Sequence, residues 1–132
     1  MQALLDKNPL LLKKDKIYLS GGAVWAFATL YYNENVKEHY ISLNMEDILN
    51  YDAILKNNFN KFNNLSKDNK EAARVLSIYD QKYLISANNI LLTCLESIPN
   101  LEQKEIFFVK EGQVTWLISY IADRSKKVNT NF

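Results

Sequence analysis

Glycine is scarce in this sequence: three residues in 132, two of them adjacent at Gly21-Gly22 and the third at Gly112. With so few residues free to adopt left-handed backbone, each glycine marks a place where the chain must turn tightly or stay uncovered by side chains. Cysteine is limited to Cys94, which excludes an internal disulfide and points to a reducing compartment. Histidine is limited to His39. Without a second His or a Cys at ligand spacing, it reads as a surface loop residue and not as a metal ligand. No apolar run approaches the ~18–20 residues of a membrane span, and residues 1–12 lack a charged start and a small-residue cleavage site. A cytoplasmic chain with no membrane partner is expected. Charge of one sign is lacking too: 16 basic and 15 acidic residues leave a formal +1, too little field to draw in nucleic acid. The nucleotide loop G-x-x-x-x-G-K-[ST] and the hydrolase signatures H-E-x-x-H and G-x-S-x-G are all missing.

What is present is a chain of one domain's length, residues 1–132, with 48% apolar residues and therefore enough to bury a core. Its organising feature is the run IYLSGGAVWAFATL at 17–30. A short apolar strand at 17–19 passes through Ser20, Gly21 and Gly22 into a helix that extends to Tyr32. A helix N-terminus offers unpaired N–H groups and the positive end of the dipole, so this loop suits a phosphate. Tight strand-to-helix packing alone would also account for the two glycines. Nearly every residue at 23–32 is apolar, which predicts a helix buried all round, in need of neighbours on every side. That need hints at a missing domain or an oligomer interface.

Asn8-Pro9 interrupts an initial helical stretch, and Lys13, Lys14 and Lys16 read as a solvated turn. Residues 39–43 suggest a short extended piece. Asn44 caps a helix expected to run to about Phe62, with Ile48, Tyr51, Leu55, Phe59 and Phe62 on its inner face. Glu46, Asp47 and Asp52 fit dipole complementation and solvation better than catalysis. Asn63-Asn64 is expected to end that helix and Ser66 to cap another, with Ala72, Val75, Leu76 and Tyr79 inward. Asp80 caps a third, spanning about 81–97, whose inner residues would be Leu84, Ala87, Leu91, Cys94, Leu95 and Ile98; Cys94 is then an inert core thiol. The run Ile106-Phe107-Phe108-Val109 has the continuous apolar character of a buried parallel strand. Gly112 follows it, and Val114, Leu117, Ile118 and Ile121 return to helical period. Strand, glycine turn and helix thus occur twice, and the expected fold is a helix-rich α/β domain with a small parallel sheet of two or three strands.

The run at 17–30 and the later segment LISANNILLTCLESIPNLEQKEIFFVKEGQVTWLISYI at 84–121 resemble, in order and at similar spacing, the second domain of the exopolyphosphatase/guanosine pentaphosphate phosphatase (Ppx/GppA) family. The residues between 33 and 79 match only in texture. The resemblance implies an actin-like (ribonuclease H-like) two-domain fold, of which this chain would be the later part of the second domain. It also implies bacterial origin and a cytoplasmic hydrolase that removes terminal phosphates from polyphosphate or guanosine pentaphosphate with Mg²⁺. Ser20, Gly21 and Gly22 coincide with the family's cleft loop, and Gly112 with the glycine after its last strand.

The family's earlier motifs, the D-x-G phosphate loop and catalytic glutamate of the first domain and the D-x-G-G-G-S loop opening the second, are absent. The chain by itself is therefore expected to be inactive, with no catalytic residue and no metal ligand of its own. Two departures weaken substrate contact: Ser86-Ala87-Asn88-Asn89 stands where the family has Gly-Ala-Glu, and Lys110-Glu111 where it has Arg-Tyr. The partners implied are the phosphate substrate in the intact protein, the missing first domain and a further copy in a homo-oligomer. A reading of another class is a stand-alone interaction module of the immunity or inhibitor type, whose aromatic helix at 23–32 and last helix would form a partner-binding or self-association face without catalysis.

Overall fold

The computed structural model describes residues 13–32 and 40–110. Expectations for His39, Gly112, the initial helical stretch and the helix at 114–121 lie outside the described residues. The elements are β1 (Lys16–Leu19), α1 (Gly22–Tyr32), β2 (Tyr40–Leu43), α2 (Met45–Asn57), α3 (Asn60–Asp68), α4 (Lys70–Ile78), α5 (Gln81–Glu96), a 3₁₀ turn (Leu101–Gln103) and β3 (Glu105–Val109). The chain is a helix-rich α/β protein.

Its three strands lie in the order β1-β3-β2. β1 and β3 run parallel in the register Lys16↔Glu105 to Leu19↔Phe108. β2 runs antiparallel to β3, with Tyr40 opposite Val109 and Leu43 opposite Ile106. The parallel sheet expected from the sequence is thus corrected to a mixed one. The reason is visible in β2, whose residues alternate exposed and buried, as an antiparallel edge strand with one wet face does. β3 also departs from expectation. Ile106 and Phe108 are buried while Phe107 and Val109 are only half-buried, so among the described residues one face of the central strand is covered and the other is not.

On the covered face, Ile41, Leu43, Ile106 and Phe108 join one core with Val24, Phe27 and Leu30 of α1. α1 is the central helix, packed against α2, α4, α5 and β3, and six of its eleven residues are buried. Among the described residues its neighbours are these elements of the same chain, and Trp25, Tyr31 and Tyr32 remain only half-buried.

The helices begin where short polar side chains can cap them. Asn44 Oδ1 accepts from Asp47 N at 2.8 Å, Asn69 Oδ1 from Ala72 N at 3.0 Å, and Asp80 Oδ1 from Tyr83 N at 2.7 Å. Two boundaries differ from expectation. The helix predicted to reach Phe62 ends at Asn57, where Asn58 leaves helical geometry (φ −146°, ψ 47°), and a new helix starts at Asn60. Asn63, Asn64 and Ser66 lie inside α3, and the Ser66 hydroxyl donates to the Asn63 carbonyl at 2.7 Å instead of capping. The short break redirects the chain so that Phe62 stays buried against Tyr51 and Phe59.

Candidate functional site

Parallel pairing brings Ser20, which follows β1, and Lys110, which follows β3, out at the same end of the sheet. In parallel α/β folds that C-terminal edge is where ligands are held. The loop at 20–22 turns there into α1. Gly21 has φ +116° with nothing within 4 Å of a would-be Cβ, so conformation and not crowding demands glycine. Its carbonyl accepts from Trp25 N at 2.9 Å, the first bond of the helix, which leaves the amides of the first turn without intrahelical acceptors.

Gly22 is glycine for another reason. A Cβ there would lie 2.2 Å from Tyr79 Oη and 3.1 Å from Tyr79 Cζ. The second glycine therefore admits a tyrosine, which follows α4. The Tyr79 ring stacks on Tyr83 at 4.7 Å and meets Trp25 edge-on at 6.4 Å, and the Arg74 guanidinium lies over Trp25 at 5.6 Å. Among the described residues Tyr79 Oη makes no hydrogen bond. The loop thus has a hydroxyl beside it and a cation one ring further off. The sequence marked Tyr79 only as an inward residue of its helix; nothing in the period says that its tip meets Gly22.

Ser20 is exposed and both glycines are half-buried, so the loop is reachable from solvent. Ser20, Gly21 and Gly22 form the turn between β1 and α1, Lys110 leaves the neighbouring strand at the same end of the sheet, and Gly112 lies outside the described residues. The segment at Asn88, one of the two departures noted in the sequence, lies elsewhere. Asn88 is buried between α2 and α5, its Nδ2 donating to Asp52 Oδ1 at 3.2 Å while its Oδ1 has no partner among the described residues. It is a helix-to-helix contact. Asp52 also pairs with Lys56 at 2.6 Å.

Asp47 is likewise structural, but more than a dipole partner: it accepts from Tyr32 Oη at 2.7 Å, Tyr31 Oη at 3.2 Å and Asn44 Nδ2 at 2.7 Å. Burial, then the hydrogen bond to Asp47 and that residue's negative charge, hold the Tyr32 hydroxyl above its ordinary pKa. Burial alone raises that of Tyr51. Cys94 is half-exposed, less enclosed than the core position expected of it.

A cavity of about 330 Å³ lies at the opposite end of β3, lined by Leu43, Asn44, Met45, Leu101, Glu102, Lys104 and Ile106. It is remote from the 20–22 loop along the sheet and shares no residue with it. Among the described residues no group of three or more His, Cys, Asp and Glu side chains could hold a metal ion. No described helix is long and apolar enough to cross a membrane. Compared with protein-family models, with curated proteins and with solved structures, the chain finds no match in any of the three.

Proposed function

We propose that the 20–22 loop is a phosphate-holding element and that the chain is the later part of the second, actin-like domain of a phosphatase resembling the Ppx/GppA family. The observation that carries the reading is the parallel pairing of β1 with β3, since it sets the N-terminus of α1 at the C-terminal edge of the sheet, where α/β proteins hold anionic ligands. The positive φ of Gly21 and the hydroxyl of Tyr79 beside Gly22 support it. In this reading the amides of the first helical turn donate to phosphate oxygens, and the Tyr79 hydroxyl adds a donor. Attack on the phosphoanhydride and binding of Mg²⁺ belong to the missing first domain, and the chain by itself is inactive.

Calorimetric titration with tripolyphosphate tests the binding. Saturable uptake that is lost in Gly21→Val and weakened in Tyr79→Phe is expected; a chain that takes up no tripolyphosphate contradicts the reading. Mg²⁺-dependent release of phosphate from polyphosphate by the purified chain would contradict its inactivity. The second reading, a stand-alone interaction module, is favoured by one observation of its own: Tyr18 and Tyr40 stand 57% and 58% exposed on the side of the sheet away from the core. It predicts a stable complex with a protein and no affinity for phosphate.

A further inference from the structure

Among the described residues no element covers the second face of the sheet, and that face has an order that goes beyond exposure. Side chains two apart on a strand share a face, so Lys16 and Tyr18 of β1 lie on the same side as Glu105 and Phe107 of β3. The register sets Lys16 beside Glu105 and Tyr18 beside Phe107. The Tyr18 and Phe107 rings are stacked at 5.6 Å, and Tyr40 of β2 meets Tyr18 edge-on at 6.2 Å. Lys16 and Glu105 are both exposed, and among the described residues neither has an ion pair.

From this arrangement we infer that the open face is a self-association surface whose occupant is a second copy of the same chain. A two-fold contact must be complementary to itself. An aromatic centre with one cation and one anion side by side at its rim meets that condition. A two-fold axis running along the strands between β1 and β3 lays Tyr18 over the Phe107 of the second copy and, at the same time, Lys16 over its Glu105. Both charges of each chain are then paired and both aromatic side chains leave water. A polyanion fits the face less well, because the Glu105 carboxylate stands inside it.

The face is small. Three strands about 4.8 Å apart and four residues long at about 3.3 Å each give a patch of roughly 14 by 13 Å, well under the ~800 Å² per partner of a tight complex. The dimer is accordingly weak and fast-exchanging, and it forms independently of the phosphate loop.

Sedimentation equilibrium between about 10 μM and about 1 mM chain, with the helical circular dichroism of each variant checked first, tests the inference. A monomer–dimer equilibrium is expected in the wild type. Lys16→Glu and Glu105→Lys, each of which sets like charges opposite one another, are expected to weaken it about tenfold, and the Lys16→Glu/Glu105→Lys double variant to restore it to within about twofold. A monomer at every concentration overturns the inference. So does a dimer that ignores the single reversals, or one that the charge swap fails to restore.

Discussion

The two ends of α1 solve opposite problems with the same kind of side chain. At the C-terminal end, Tyr31 and Tyr32 donate to Asp47, which Asn44 also contacts, and the polar groups close on one another. At the N-terminal end, Tyr79 reaches Gly22 without a hydrogen bond among the described residues, and the first-turn amides have no intrahelical acceptor. One end fastens α1 to the start of α2. The other leaves first-turn donors without intrahelical acceptors, the feature on which the proposed phosphate site rests.

If that contrast is right, the largest effect should come from filling the space at Gly22. Gly22→Ala sets a Cβ 2.2 Å from Tyr79 Oη, and the ring is held by Tyr83 and Trp25, so a loss of about 2–3 kcal/mol in urea denaturation is expected. Tyr79→Phe should recover part of that loss in the double variant, because the closest atom is the hydroxyl. Full additivity of the two changes would mean that the loop relaxes away from the ring. Gly21→Ala is expected to cost about 1–2 kcal/mol through its positive φ, and Tyr79→Phe should not relieve it, since nothing crowds that position.

At the closed end the expected effects are smaller. Tyr32→Phe removes the 2.7 Å bond to Asp47 and should cost about 1 kcal/mol, whereas Tyr31→Phe, at 3.2 Å, should cost roughly half as much. Equal losses would show that the two hydroxyls share the carboxylate evenly.

Alkaline pH gives the finest test. Tyr32 and Tyr51 are both held above the ordinary tyrosine pKa of about 10. The folded chain therefore keeps protons that the unfolded chain gives up. Their contribution is complete below about pH 10 and is lost as pH rises beyond it, at up to about 1.4 kcal/mol per pH unit for each fully buried group. Tyr32 is partly solvated, which reduces its share, so most of the loss belongs to Tyr51. Tyr51 Oη is buried, without a hydrogen-bond partner among the described residues. Tyr51→Phe should consequently stabilise the chain slightly at neutral pH and flatten its alkaline decline; an unchanged decline would assign the effect elsewhere.

Much of this organisation can be read directly in the sequence. The scarcity of glycine made the 20–22 turn conspicuous, and Asn44 and Asp80 announced their helices because a short polar side chain before an apolar-periodic run has few other roles. Ser66 did not follow that rule, since Asn69 supplies the better acceptor at the true start of α4. The direction of β2 was hidden because four alternating residues fix which face is wet and not which way the strand runs. The burial of Asn88 was hidden for a related reason: helical period identifies the inner face, but a polar residue on it reads as an exception until its partner Asp52, 36 positions earlier, is in view. Within the candidate site the sequence located the backbone and missed Tyr79, whose place depends on where α4 ends relative to α1.

The central claim, that the start of α1 is an open phosphate-holding turn, is tested most directly by ¹H–¹⁵N NMR titration with pyrophosphate and tripolyphosphate, following the amides of Gly21, Gly22 and Ala23. Saturable shifts concentrated on these residues, weakened in Tyr79→Phe, are predicted. A well-dispersed spectrum in which they stay still throughout the titration would contradict the claim and leave the two glycines as packing residues alone.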